Sequence, residues 1–148
     1  MKRLFLLASI GILALGTYAF SNPSLDFEPD EEGGIQFRDV SWDEALKLSQ
    51  QENKPIFLGI YASWCKNCRK LRKGTFTDKN VSDYYNSHFI NVAMDGEKGE
   101  GITLYQRYLL EGYPSLLYID STGSVLVQSA GYKNPKDFLK LGHFAMKK

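Results

Sequence analysis

The chain has 148 residues, 43% hydrophobic and 14% aromatic, with a formal net charge of +1. That is material for one compact core and leaves little room for a second domain. The small net charge excludes a global field of the kind that gathers nucleic acid, so charge has to be read locally.

Residues 1–20, "MKRLFLLASIGILALGTYAF", begin with Lys2 and Arg3, run through an uncharged apolar stretch from Leu4 to Leu15 and reach the small-residue pattern Thr17-Tyr18-Ala19. This is the layout of an export signal peptide, with cleavage expected after Ala19 or Ser21. The competing reading is an uncleaved N-terminal membrane anchor, because Leu4 to Phe20 gives 17 uncharged residues, at the lower limit for crossing a bilayer. Removing Lys2 and Arg3 with the segment takes the net charge from +1 to −1. Residues 21–34, "SNPSLDFEPDEEGG", carry five acids, two prolines and no base, the composition of an acidic flexible tether. The folded domain is therefore expected over residues 35–148.

"IQFRDV" reads as a short strand, and Ser41 followed by Glu44 is a capping-box signal for a helix to about Glu52. "PIFLGIYA", Pro55 to Ala62, is apolar on both faces and of strand length, which predicts a central strand covered on both sides. Cys65 and Cys68 follow, on the expected first turn of a helix through "CRKLRK". Thr77 or Asp78 opens another helix, with Val81, Tyr84, Tyr85 and His88 on one stripe, before a strand from Phe89 to Met94. A glycine-rich loop, Asp95 to Gly101, leads into a helix with Ile102, Tyr105, Tyr108 and Leu109 on one side and Gly112 as expected terminator. "YPSLLYID" and "SVLVQS" form a hairpin about the turn "DSTG", and Asn134 with Pro135 opens a closing helix containing Phe138, Leu139 and Gly142. The order predicts an α/β fold, a central mixed β-sheet with helices on both faces.

The two cysteines stand at i and i+3, one helical turn apart, where a disulfide needs little backbone movement. Cys65, at the helix N-terminus, meets unpaired backbone N–H groups and the positive end of the helix dipole, which favour thiolate. Cys68 should be the more shielded, which divides the pair into an exposed attacking sulfur and a buried resolving one. Lys66, Arg69, Lys70, Arg72 and Lys73 follow without an acid among them, and Lys66, adjacent to the sulfur, is the best placed to lower the Cys65 pKa further. A closed zinc site needs about four ligands, and beyond the cysteines the chain offers only His88 and His143. Bridging so short a loop removes little entropy from the unfolded chain, so a structural staple is a weak reading. A dithiol cycling to a disulfide is the expectation.

From Ile35 to Met146 the chain resembles the thioredoxin-fold family. "FLGIYASWCKNCRKL" is similar to the family's strand, Trp-Cys-x-x-Cys and helix, and "GYPSLLYID" resembles its Gly-x-Pro-Thr strand with a cis proline. A further glycine match is "SAGY" after the hairpin. Within the superfamily, "YASWC" and "TFTDKNVSDYYNSHFINVAMD" look most like exported thioredoxin-like proteins, including the reducing domain of a bacterial transmembrane electron carrier. The resemblance implies that Cys65 attacks a substrate disulfide and Cys68 resolves the mixed disulfide. It also implies that a cis Pro114 faces the pair, that the Tyr113 backbone pairs with the partner's chain and that Trp64 shapes the contact surface. Two departures stand out. Gly59 occupies the position of the buried aspartate of many thioredoxins, and Asn91 the position of its usual lysine partner. Lys66 and Asn67 between the cysteines match neither the Gly-Pro of cytosolic thioredoxins nor the Pro-His of strong oxidases.

The resulting expectation is an exported, periplasmic or secreted, monomeric thiol-disulfide oxidoreductase, without cofactor or metal. It should reduce protein disulfides or relay electrons from an upstream thiol donor, with membrane contact only through an uncleaved residues 1–20. The alternatives are a module binding or delivering soft Cu(I) through the two thiolates, and a non-catalytic, redox-sensing partner-binding domain.

Overall fold

The computed structural model describes residues 33–148. The proposed signal peptide and residues 21–32 of the proposed tether lie outside the described residues. At the centre is β1 (Ile56–Tyr61), every residue of it buried. It pairs in parallel with β2 (Ile90–Asp95) and antiparallel with β3 (Ser115–Ile119), and β3 pairs antiparallel with β4 (Val125–Ala130), giving a four-stranded mixed sheet in the order β2-β1-β3-β4.

Alternation along β1 splits the core in two. Ile56, Leu58 and Ile60 face a cluster with Trp42, Ala45 and Leu104, beneath α1 (Trp42–Glu52) and α4 (Gly99–Arg107). Phe57 and Tyr61 face the other cluster, with both cysteines, Leu71, Phe76, Tyr85 and Phe138, beneath α2 (Lys66–Lys70), α3 (Lys79–His88) and α5 (Pro135–Ala145). Phe57 is the hub of that side: the rings of Tyr85, Phe138 and Tyr118 lie 5.2, 5.3 and 5.4 Å from its own.

The caps match the sequence reading. Ser41 Oγ accepts from the Glu44 N–H, Asp78 from Asn80 and Val81, and Asn134 from Asp137 with Pro135 at the first helical position. Three local expectations are corrected. Residues 35–40 form no strand; they run extended, fastened by single backbone bonds from Ile35 N–H to Phe76 C=O and from Arg38 N–H to Asn91 C=O, both 2.9 Å. Helix α4 starts at Gly99 and stops at Arg107, with Leu109 in the left-handed region at φ 50°, so Gly112 is not its terminator. The helix after the cysteines widens into a π turn over Leu71–Thr75, where Phe76 N–H reaches back five residues to Leu71 C=O at 2.9 Å. That turn puts Thr75 inside, its hydroxyl donating to Lys133 C=O at 2.7 Å.

Tyr85 and Tyr118 meet hydroxyl to hydroxyl in the core, and Tyr85 also donates to Phe138 C=O at 2.8 Å. Burial, the largest cause for each, pushes both phenols upward; for Tyr85 the neighbouring Tyr118 adds to the rise. The folded state thus holds these protons more tightly than the unfolded chain, whose phenols ionise near a pH of about 10. Their contribution is fully present below that pH and is lost as pH rises above it. Thermal unfolding followed by circular dichroism should show a melting temperature that falls from about pH 10 upward. A Tyr85→Phe/Tyr118→Phe variant should show a weaker fall over the same window.

Candidate active site

Strand β1 ends at Tyr61, and the chain turns through Ala62, Ser63 and Trp64 so that Cys65 becomes the N-cap of α2. Cys65 N–H donates to Ala62 C=O at 3.1 Å, and the Cys65 sulfur accepts the Cys68 N–H at 3.1 Å. A backbone donor is thus aimed at the first sulfur from the start of the helix. Cys65 and Cys68 are joined in a disulfide with their Cα atoms 5.3 Å apart.

The expected contrast in shielding is absent from this oxidised state. Cys65 is 4% exposed and Cys68 6%. What distinguishes the sulfurs is bonding and surroundings. Cys65 receives the helix N–H, whereas Cys68 borders a cavity of about 10 Å³ that also touches Gly59, Leu71, Phe76, Pro114 and Leu116. No carboxylate or lysine lines it. The strand register sets Ala93 opposite Gly59, and Asn91 opposite Phe57. Asn91 turns its amide to Tyr85 C=O at 3.2 Å, so it faces α3 and is not among the residues lining the cavity.

Trp64 stands 64% exposed beside the pair. Its indole N–H donates to Glu97, and its ring meets Tyr113 edge-on at 5.9 Å. The Tyr113–Pro114 peptide bond is cis, and Pro114 C=O accepts from Gly131 N–H at 2.8 Å. Tyr113 covers Gly96, where an added Cβ would lie 2.6 Å from its ring. Lys66 is exposed at the first position of α2. Of the other bases, Arg69 donates to Ser63 C=O at 3.1 Å and Lys70 sits 4.1 Å over the Tyr132 ring. Sequence reasoning singled out the Asp95–Gly101 loop only for its glycines. Glu97 carries no motif, and only the fold brings it to Trp64.

Between α3 and α5, His88 stacks on Tyr84 at 4.1 Å and His143 meets the same ring at a tilt, 4.2 Å away. Among the described residues no group of three or more His, Cys, Asp or Glu is gathered as a metal site would require. No described helix is long and apolar enough to cross a membrane.

A family model described as a thioredoxin-like domain matches residues 42–145. Among solved structures, a disulphide-isomerase candidate from Bacteroides thetaiotaomicron is 39% identical with a TM-score of 0.71, over 80% of this chain and 98% of that one. A thioredoxin from Thermus thermophilus shares the fold at 20% identity and a TM-score of 0.65, over 74% of this chain and 85% of that one. The thiol:disulfide interchange protein DsbD of Yersinia pestis is 28% identical over 145 residues, 93% of this chain and 24% of DsbD. The chain thus spans about a quarter of the length of the curated relatives it matches.

At Gly59 an added Cβ would meet only the Phe57 ring edge, at an ordinary 3.8 Å. Gly59→Ala should therefore fill space beside Cys68 and remove backbone entropy from the unfolded chain, raising stability by about 1 kcal/mol. Urea unfolding of the oxidised protein would register this as a higher midpoint at unchanged slope.

Proposed function

The chain belongs to the thioredoxin-like domain family, and from that premise we propose that it is an exported thiol-disulfide oxidoreductase that reduces protein disulfides or relays electrons between thiol proteins. The observation that carries this reading is the Cys65–Cys68 disulfide at the start of α2, with a backbone N–H aimed at the Cys65 sulfur.

In the reduced protein the Cys65 thiolate attacks one sulfur of a substrate disulfide. That bond breaks, a mixed disulfide forms, and the departing thiolate takes up a proton. Cys68 then gives up its proton and attacks the Cys65 sulfur. The intramolecular bridge forms and the second substrate thiol is released, so the substrate gains two electrons and two protons while the pair is oxidised. An upstream thiol donor returns the pair to the dithiol by the same exchange in reverse. With no carboxylate lining the cavity beside Cys68, the proton of the resolving thiol leaves by a different route from the buried aspartate of many thioredoxins.

Trp64 and Tyr113 form the contact surface for the substrate, and Pro114 faces the pair, a role supported by the cavity it shares with Cys68. Lys66, next in sequence to the sulfur, supports the thiolate. Residues 1–20 direct the chain to the periplasm or the exterior, residues 21–34 tether the domain, and residues 35–148 work as a monomer on protein thiols and disulfides. The relationship to DsbD and to the disulphide-isomerase candidate supports protein thiols as partners.

Cys65→Ser should abolish reduction of a small aromatic disulfide and of insulin, both followed spectrophotometrically. Cys68→Ser should accumulate a mixed disulfide, visible as a reducible mass increase. Retention of full activity by Cys65→Ser would refute the assignment.

A further inference from the structure

Trp64 is widely exposed at the shoulder of the cysteine pair, yet its position is fixed. Its indole N–H, which can only donate, is shared between the two Glu97 carboxylate oxygens at 3.1 and 3.2 Å. A carboxylate makes a stronger acceptor than a neutral group would. Glu97 is itself held. Its backbone N–H donates to Asp95 Oδ1 at 2.9 Å, Gly96 N–H donates to Tyr61 C=O at 2.8 Å, and Lys98 N–H donates to Asp95 C=O at 3.1 Å. One turn later Glu100 accepts the Trp42 N–H at 3.1 Å, which fastens the start of α4 to the start of α1. The carboxylate that holds Trp64 is therefore carried on a loop bonded to the end of β1 and braced against α1.

The indole ring also meets Tyr113, which is pressed over Gly96 and leans on Tyr105, ring to ring at 5.1 Å. Trp64, Tyr113 and Tyr105 make one continuous aromatic face that begins at the residue preceding the first sulfur.

We propose that Glu97 is a positioning residue for substrate binding. By holding Trp64 upright against Tyr113 it maintains an aromatic wall beside Cys65, and this wall receives an apolar side chain adjacent to the half-cystine of an extended polypeptide substrate. The inference rests on the disulfide-exchange reading and deepens it by naming the feature of the substrate that is recognised.

The test uses the reduced full chain and three disulfides: two peptides of equal length and charge with Phe or Ser beside the reacting cysteine, and a small-molecule disulfide. Wild type should show the lower KM for the Phe peptide. Glu97→Ala, a change at an exposed position, should raise that KM about threefold to fivefold, the scale of an exposed charge-assisted hydrogen bond, with kcat and the small-molecule rate unchanged. Because Trp42 is only 3% exposed, acrylamide quenching reads Trp64, and it should rise in Glu97→Ala. Glu97→Gln keeps a neutral acceptor oxygen and should recover part of both quantities, falling between wild type and Glu97→Ala. An unchanged KM for the Phe peptide or unchanged quenching in Glu97→Ala overturns the proposal, as does Glu97→Gln behaving like Ala. A wild type that reduces none of the three disulfides sinks the exchange reading and this proposal with it, whereas an active wild type with a silent Glu97→Ala sinks the proposal alone.

Discussion

The placement of the cysteine pair depends on one strand that is hydrogen-bonded along both edges and buried on both faces. Because β1 pairs with β2 on one side and β3 on the other, it has no freedom to slide, and a slip of one residue would exchange its two buried sets. Phe57 would leave the aromatic cluster and Leu58 would enter it. The chain emerging from this strand must therefore deliver Tyr61, Trp64 and Cys65 to the same places in every molecule. The sulfur chemistry is built on that fixed exit, with a helix N-cap added to it.

Much of this was legible because the relevant signals are local. A continuous apolar run of strand length bounded by Pro55 marked β1, and Ser41, Asp78 and Asn134 marked helix starts through the same side-chain-to-backbone bonds that the structure contains. What was not legible depends on partners far away in sequence. Residues 35–40 have strand composition, but they make single bonds to Phe76 and Asn91 without a ladder, and Phe37 is held by its ring against Phe57 and Phe76. The π turn after α2 is not legible in "LRKGT", and the bond from Thr75 to Lys133 that accompanies it joins residues 58 apart in the chain. The end of α4 differs for a local reason: Leu109, and not a glycine, adopts the left-handed conformation that sequence reasoning assigns to glycine.

The site shows the same division. The cysteine pair is marked by its spacing, while Trp64, Tyr113 and Pro114 are singled out only by the resemblance to the thioredoxin-fold family. Glu97 was singled out by neither, since a carboxylate in a glycine-rich loop reads as solvated charge until the fold carries it to the indole. The expected contrast between an exposed and a buried sulfur was drawn from helix position alone. In the bridged state both cysteines are buried, and the contrast survives in hydrogen bonding and in the cavity beside Cys68.

The loop that holds Trp64 is shaped as much by missing atoms as by present ones. A Cβ at Gly101 would fall 1.9 Å from the Asp95 carbonyl oxygen, and one at Gly96 would enter the space of Tyr113 and Ile60. Over evolutionary divergence Gly101 cannot accept a side chain while the loop keeps its course, and one at Gly96 would displace Tyr113 or Ile60, whereas the exposed side chain at 97 can be exchanged without disturbing that backbone. Under the role proposed for Glu97, a lineage could thus retune what docks beside the cysteines by exchanging the side chain at 97 alone, with the scaffold inherited intact.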